Sequence, residues 1–308
     1  MQNSTEVNEF TVVGLTDAPE LQVILFITLV GNVGIIVLIY LDPPLHTPTY
    51  FFLSNLSLVD CVYSSNITPK MMAGLLTGNK VISHDSCAAQ MFFFVAFASV
   101  DFFLLAVMVY EHNAGICKPL HYTTSMRANL CTQLVTDCYI WGIIESSIHI
   151  GFTFHFSFWG SNIVHHFFCE IPLILVLSCS YIHINEVILF VLTVFNVIFA
   201  LLIILISYLF IFITFLRMHS AEGPQKAFSS DTSHLTAASI FYETVIFMYL
   251  QPNSSHSMDN DQMGSVFYTI VIPMLNPLLY SLRNKEVNKA FRKAFQRAKP
   301  LVFQCLVR

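Results

Sequence analysis

Ionisable and amide side chains interrupt otherwise apolar stretches at a few places, and chemistry is expected there. Asn32, Asp60, Asp101 and Asn276 each stand near the middle of a different apolar run. If the four converge, their oxygens suit a hard monovalent cation or bound water. The alternative is a hydrogen-bond network that holds the runs together. Asp137 and Glu145 interrupt a further run, and Glu111-His112 closes the run from Ala88 to Tyr110. Charge inside hydrocarbon is costly, so each of these is a functional candidate by default.

The long segment Thr153–Asn185 has no Lys or Arg, four histidines (His155, His165, His166, His183) and two cysteines, Cys169 and Cys179. His166 and Cys169 have metal-ligand spacing. Lumenal thiols oxidise, however, and a Cys87–Cys169 disulfide would remove the thiolate that a metal needs. Cys179 is then the odd one out. No paired-histidine zinc motif, glycine-rich phosphate loop or serine elbow is present, which argues against an enzyme.

These residues are positioned by apolar segments. The chain is 55% hydrophobic and 11% charged, with mean hydropathy +0.66, against about 25% charged in soluble domains. Such a composition points to a membrane protein, and nothing in it suggests nucleic-acid binding. Spans are expected at Leu21–Tyr40, Thr49–Leu76, Ala88–Tyr110, Cys131–Phe152, Glu186–Leu216, Ser229–Leu250 and Met263–Leu282, the last broken by Pro273 and Pro277. The first span, at about 20 residues, is at the minimum for crossing untilted. In the third, Phe94, Ala98, Asp101, Leu105, Met108 and His112 share one helical face, so a ligand at one end can be reported at the other.

Eight of the fourteen Lys and Arg lie after Leu282, which places the C-terminus in the cytosol and the N-terminus outside. The first twenty residues carry four acids and no base, so they do not read as a cleavable signal. Asn3-Ser4-Thr5 is a glycosylation acceptor on that outer tail. Val287, Phe291, Phe295 and Ala298 step by four or three amid basic residues, as in an amphipathic helix on the anionic inner leaflet. The chain thus divides into an extracellular tail (1–20), an all-α seven-helix transmembrane domain (21–282) and a cytoplasmic tail with a short amphipathic helix (283–308). No inverted repeat marks it as a secondary transporter.

Several blocks then become recognisable: Leu45-His46-Thr47-Pro48, Leu56-Ser57-Leu58-Val59-Asp60, Lys118-Pro119-Leu120-His121-Tyr122, His166-Phe167-Phe168-Cys169, Ser178-Cys179-Ser180, Lys226-Ala227-Phe228-Ser229, and Pro273-Met274-Leu275-Asn276-Pro277-Leu278-Leu279-Tyr280. Together with Asn32 they resemble the signature blocks of vertebrate olfactory receptors of the tetrapod class, within the rhodopsin-like G protein-coupled receptors. The resemblance implies that a small volatile odorant binds between the third, fifth and sixth spans. Its contacts would be Phe94, Val95, Ala98, Ser99, Thr193, Asn196, Tyr242, Val245, Ile246 and Tyr249. It also implies signalling through a stimulatory olfactory G protein to raise cAMP, with Glu111, His112, Tyr208 and Tyr280 in coupling and switching. No cofactor is implied beyond a structural Na+ at Asn32, Asp60, Asp101 and Asn276. The location implied is the plasma membrane of sensory cilia.

The departures from the family pattern point to a second reading. Where the family has Met-Ala-Tyr-Asp-Arg-Tyr, this chain has Met108-Val109-Tyr110-Glu111-His112-Asn113. The family arginine is permanently charged, whereas a histidine is shorter and mostly neutral near pH 7. Asp101 stands for a glutamate, Trp159 for a loop cysteine, Glu243 for a glycine and Asp231 for a cysteine. With the short first span, these changes suggest the same fold with impaired or absent G protein signalling, or retention in the endoplasmic reticulum.

Overall fold

Pro19 can open a helix without losing a bond, because its missing N–H would be unpaired there in any case. From it α1, Pro19–Leu41, runs 23 residues, about 35 Å. That exceeds the apolar run alone and crosses a bilayer with some tilt. The computed structural model describes residues 9–12, 19–77, 81–117, 121–155, 163–164, 168–177, 182–217, 266, 269, 271–283, 286–294 and 296. The stretch read as the sixth span, 229–250, lies outside the described residues, and with it Tyr242, Glu243, Val245, Ile246, Tyr249 and Asp231. Asn3, Trp159, His165, His166 and Cys179 lie outside them too.

After a 3-10 turn at Pro43–Leu45, α2 spans Pro48–Thr77, α3 spans His84–Cys117, and a short α4, Tyr122–Ser125, lies in the second inner loop. The fourth span is α5, Ala128–Thr153; a short α6, Ile171–Val176, follows the loop cysteine; and the fifth span is α7, Ile182–Arg217. The seventh span ends as α8, Ile272–Arg283, and residues 286–294 form a further helix, α9. Three of these helices are long and apolar enough to cross a membrane on composition alone: Val23–Leu41, His84–Cys117 and His183–Thr214.

The third span is the hub. It packs on α2, α5 and α7, and 61% of its most apolar stretch is buried, against 17% for the fifth span. Large apolar side chains such as Phe26, Leu205 and Phe212 point outward, while Asn32, Ser57 and Asp60 are buried. That distribution fits a molecule whose solvent is lipid. Gly142 lets α5 close on α3: a Cβ there would stand 2.5 Å from the Ala96 carbonyl oxygen and 2.9 Å from Val100. A small residue at a helix crossing allows this approach.

Outside the bundle, three short strands form a sheet. β1, Glu9–Val12, pairs antiparallel with β2, Val81–Ser83, and parallel with β3, Ile163–Val164. Part of the segment read as a plain tail is therefore a strap that buries Phe10 fully. On the inner side Val287 and Ala290 of α9 pack into the bundle, Phe291 is 62% exposed, and Lys293 Nζ reaches Asp42 Oδ1 at 2.5 Å. The helix is thereby tied to the first inner loop.

Candidate functional site

Six of the expected contact residues come together around one cavity of about 100 Å³ at the outer half of the bundle. Phe94, Val95, Ala98 and Ser99 reach it from α3, one helical turn apart, and Thr193 and Asn196 reach it from α7. The other walls are residues that the resemblance did not supply. Tyr63 comes from α2, Glu145 and His149 from α5, Glu170 from the loop before α6 and Ile171 from the start of α6. Trp141, Glu145 and His149 recur every four residues, so they share a helix face; that spacing was the available signal. Asp137 is exposed on the outside of the bundle and does not join them.

A polar relay crosses this otherwise apolar space. The Trp141 indole N–H donates to Asn196 Oδ1 at 3.4 Å, and Asn196 Nδ2 donates to Glu145 Oε1 at 2.7 Å. His149 Nε2 stands 3.9 Å from the same oxygen. Ser146 donates to the Phe92 carbonyl at 2.6 Å, which fixes the rotation of α5 against α3. Aromatic rings close the outer side, with Phe94 against Phe168 at 4.9 Å and against Tyr63 at 5.1 Å between centroids.

The lid over the cavity is held from three directions. Cys87 and Cys169 form the expected disulfide, with Cα atoms 5.7 Å apart, so Cys169 is not available as a thiolate ligand. The Cys169 N–H donates to Gln90 Oε1 at 3.0 Å. Gln90 and Asn66 exchange side-chain to backbone bonds in both directions, at 3.2 and 2.8 Å, which anchors this corner to α2.

The four mid-span polar residues also converge. Pro277 has no N–H to give the Pro273 carbonyl four residues back, and Asn32 Nδ2 donates to that carbonyl instead, at 3.1 Å. Gly31 permits the approach, since a Cβ there would meet the Pro277 ring at 3.3 Å. Asn276 Nδ2 donates to Asp60 Oδ2 at 3.0 Å, and Asp101 lies within electrostatic reach of Asp60. All four residues are buried, and Asn32 Oδ1, Asp101 Oδ1 and Asn276 Oδ1 have no donor among the described residues. An all-oxygen set with open acceptors fits a hard monovalent cation.

At the inner end of the third span, Glu111 is buried. Its Oε1 accepts from Thr49 Oγ1 at 2.8 Å and from the Tyr122 hydroxyl. Burial, with Glu111 as acceptor beside it, pushes the Tyr122 hydroxyl above a phenol's ordinary value, so it remains a donor. His112 is half-buried next to this pair, and further in the Thr214 hydroxyl of α7 donates to the Phe210 carbonyl at 2.8 Å, which leaves its Oγ1 to accept from the Cys117 thiol at 3.2 Å. Tyr208 is half-buried on α7, and Tyr280 lies in α8.

A family model described as olfactory receptor matches residues 21–298. Human olfactory receptor 5B12 is 61% identical over 97% of this chain and 98% of its own length. Human olfactory receptor 5B2 is 58% identical over 97% and 99%, and mouse olfactory receptor 5B21 is 56% identical over 98% of each chain. Among solved structures, squid rhodopsin superposes with a TM-score of 0.68 at 17% identity, covering 92% of this chain and 85% of that one. That likeness shows a seven-helix fold.

Proposed function

The chain belongs to the olfactory receptor family, and on that premise we propose that it binds small volatile odorants in the outer cavity and signals through a stimulatory heterotrimeric G protein to raise cAMP. It is a multi-pass membrane receptor and not an enzyme. The observation that carries the reading is the cavity itself. Six contacts expected from the family resemblance line one space, with an apolar wall and a few hydroxyl and amide groups. Pockets of that kind hold small, weakly polar ligands.

The third span links this cavity to Glu111 and His112 at the inner end. A Na+ ion held by Asp60, Asp101 and the amide oxygens of Asn32 and Asn276 would sit between the two, offsetting the cost of burying two carboxylates. The basic face of α9 holds the inner leaflet. Sensory cilia are the site of action.

A second reading keeps the odorant site and removes the output. His112 favours it, because no permanently charged group follows Glu111. The two readings separate when cells displaying the chain, or its His112→Arg form, are challenged with a broad panel of volatile odorants and assayed for cAMP, with surface labelling as control. A response from the unmodified chain supports signalling. Silence at normal surface level, relieved by arginine, supports the second reading.

A further inference from the structure

The cavity has a charge character that family membership does not assign. Two carboxylates, Glu145 and Glu170, line it, and no Lys or Arg does among the described residues. Glu145 is 4% exposed. Its Oε1 is occupied by Asn196 Nδ2 at 2.7 Å, whereas its Oε2 is buried with no donor among the described residues. Ser99 is beside it, but the single Ser99 hydroxyl proton goes to the Val95 carbonyl at 2.9 Å. His149, which faces the same carboxylate, stands 3.9 Å from Oε1, beyond hydrogen-bond distance. A buried carboxylate that lines the cavity thus keeps one acceptor oxygen with no donor among the described residues, and an unmade bond of that kind is costly.

We propose that the cavity selects small primary amines, whose ammonium group donates to Glu145 Oε2 while the alkyl part lies against Phe94, Ala98 and Phe102. This rests on the reading of the cavity as the odorant site and narrows it to one ligand class. Three features favour a cation over a neutral donor. The lining is acidic, the aromatic rings of Tyr63 and Phe94 are part of it and aromatic rings attract cations, and a charge-assisted bond is stronger than a neutral one at the same oxygen. The cavity, about 100 Å³, limits the alkyl part to a short branched chain or a single ring.

The test titrates isopentylamine and isopentyl alcohol into the full chain in nanodiscs of zwitterionic lipid. Calorimetry reads the binding, and empty nanodiscs correct for partition into lipid. The amine is expected to bind at least about tenfold more tightly than the alcohol. Glu145→Gln, which keeps an acceptor for Asn196, should bring the two affinities together. Should that variant fail to fold, Glu145→Asp, which draws the carboxylate back by one methylene, must weaken the amine and spare the alcohol. Equal affinities in the unmodified chain overturn the amine selectivity and leave the odorant cavity standing. A preference that survives both substitutions overturns the role of Glu145, and binding of neither ligand overturns the proposal together with the cavity reading.

Discussion

The two ends of the third span are secured in different ways. At the outer end a disulfide, a backbone bond to Gln90, a reciprocal amide pair with Asn66 and a three-stranded sheet all act on the same few residues. At the inner end one oxygen of Glu111 accepts from both Thr49 and Tyr122. The outer end is over-determined and presents a pre-formed cavity. The inner end depends on a few neutral donors around one acid, an arrangement that can exchange partners at small cost. A receptor needs that asymmetry, since a ligand shifts a conformational equilibrium only through what it binds differently in the two states.

Breaking the outer end should have the largest effect. Cys87→Ser frees the loop from the helix and is expected to cost roughly 2–5 kcal/mol, seen as loss of surface labelling and a lower melting temperature. Unchanged labelling would mean that the sheet and Gln90 suffice alone. Gly142→Ala tests the middle of the bundle. Its Cβ meets backbone at 2.5 Å, so the third and fourth spans must part, at about 1–3 kcal/mol in thermal stability. An unshifted melting curve would show that α5 can slide without loss.

Smaller effects sharpen the contrast at the inner side. Glu111→Gln keeps the shape and removes the charge from two hydrogen bonds, which predicts a loss of about 1–2 kcal/mol and a change in basal cAMP. Should stability fall as far as in Cys87→Ser, the inner end would be as strongly fixed as the outer. Lys293→Ala removes a partly exposed ion pair to Asp42 and should move the melting temperature by the equivalent of less than about 1 kcal/mol. A larger shift would give α9 a structural weight that its exposure does not suggest.

Much of this was legible in the sequence because lipid imposes simple rules. Among the described residues the apolar runs of bilayer length are helices: the run Ala88–Tyr110 lies within α3, and the run Leu21–Tyr40 lies within a longer α1. The convergence of Asn32, Asp60 and Asn276 followed from the cost of polar groups in hydrocarbon, since each needs a partner that only another span can supply. Glu145 was visible as an anomaly in an apolar run, but its place in the cavity beside His149 depends on the rotation of α5, which Gly142 and Ser146 set through contacts with α3. The strap at Glu9–Val12 carried no signal, because four residues of ordinary composition became a strand only by pairing with segments far along the chain. Glu170 reaches the cavity because the neighbouring Cys169 is tied to Cys87, 82 residues away in sequence, so its place was equally out of reach of local pattern.

The most direct test compares odorant dose–response curves for cAMP in cells carrying Ala98→Phe or His112→Arg at matched surface level. Ala98→Phe fills the outer cavity and should abolish the response or shift it to far higher odorant concentration. His112→Arg should raise the maximal response instead, because it acts where the output is made. A response that survives a filled cavity unchanged, or an arginine that alters only the concentration dependence, would contradict a receptor that reads ligand at one end of its third span and signals from the other.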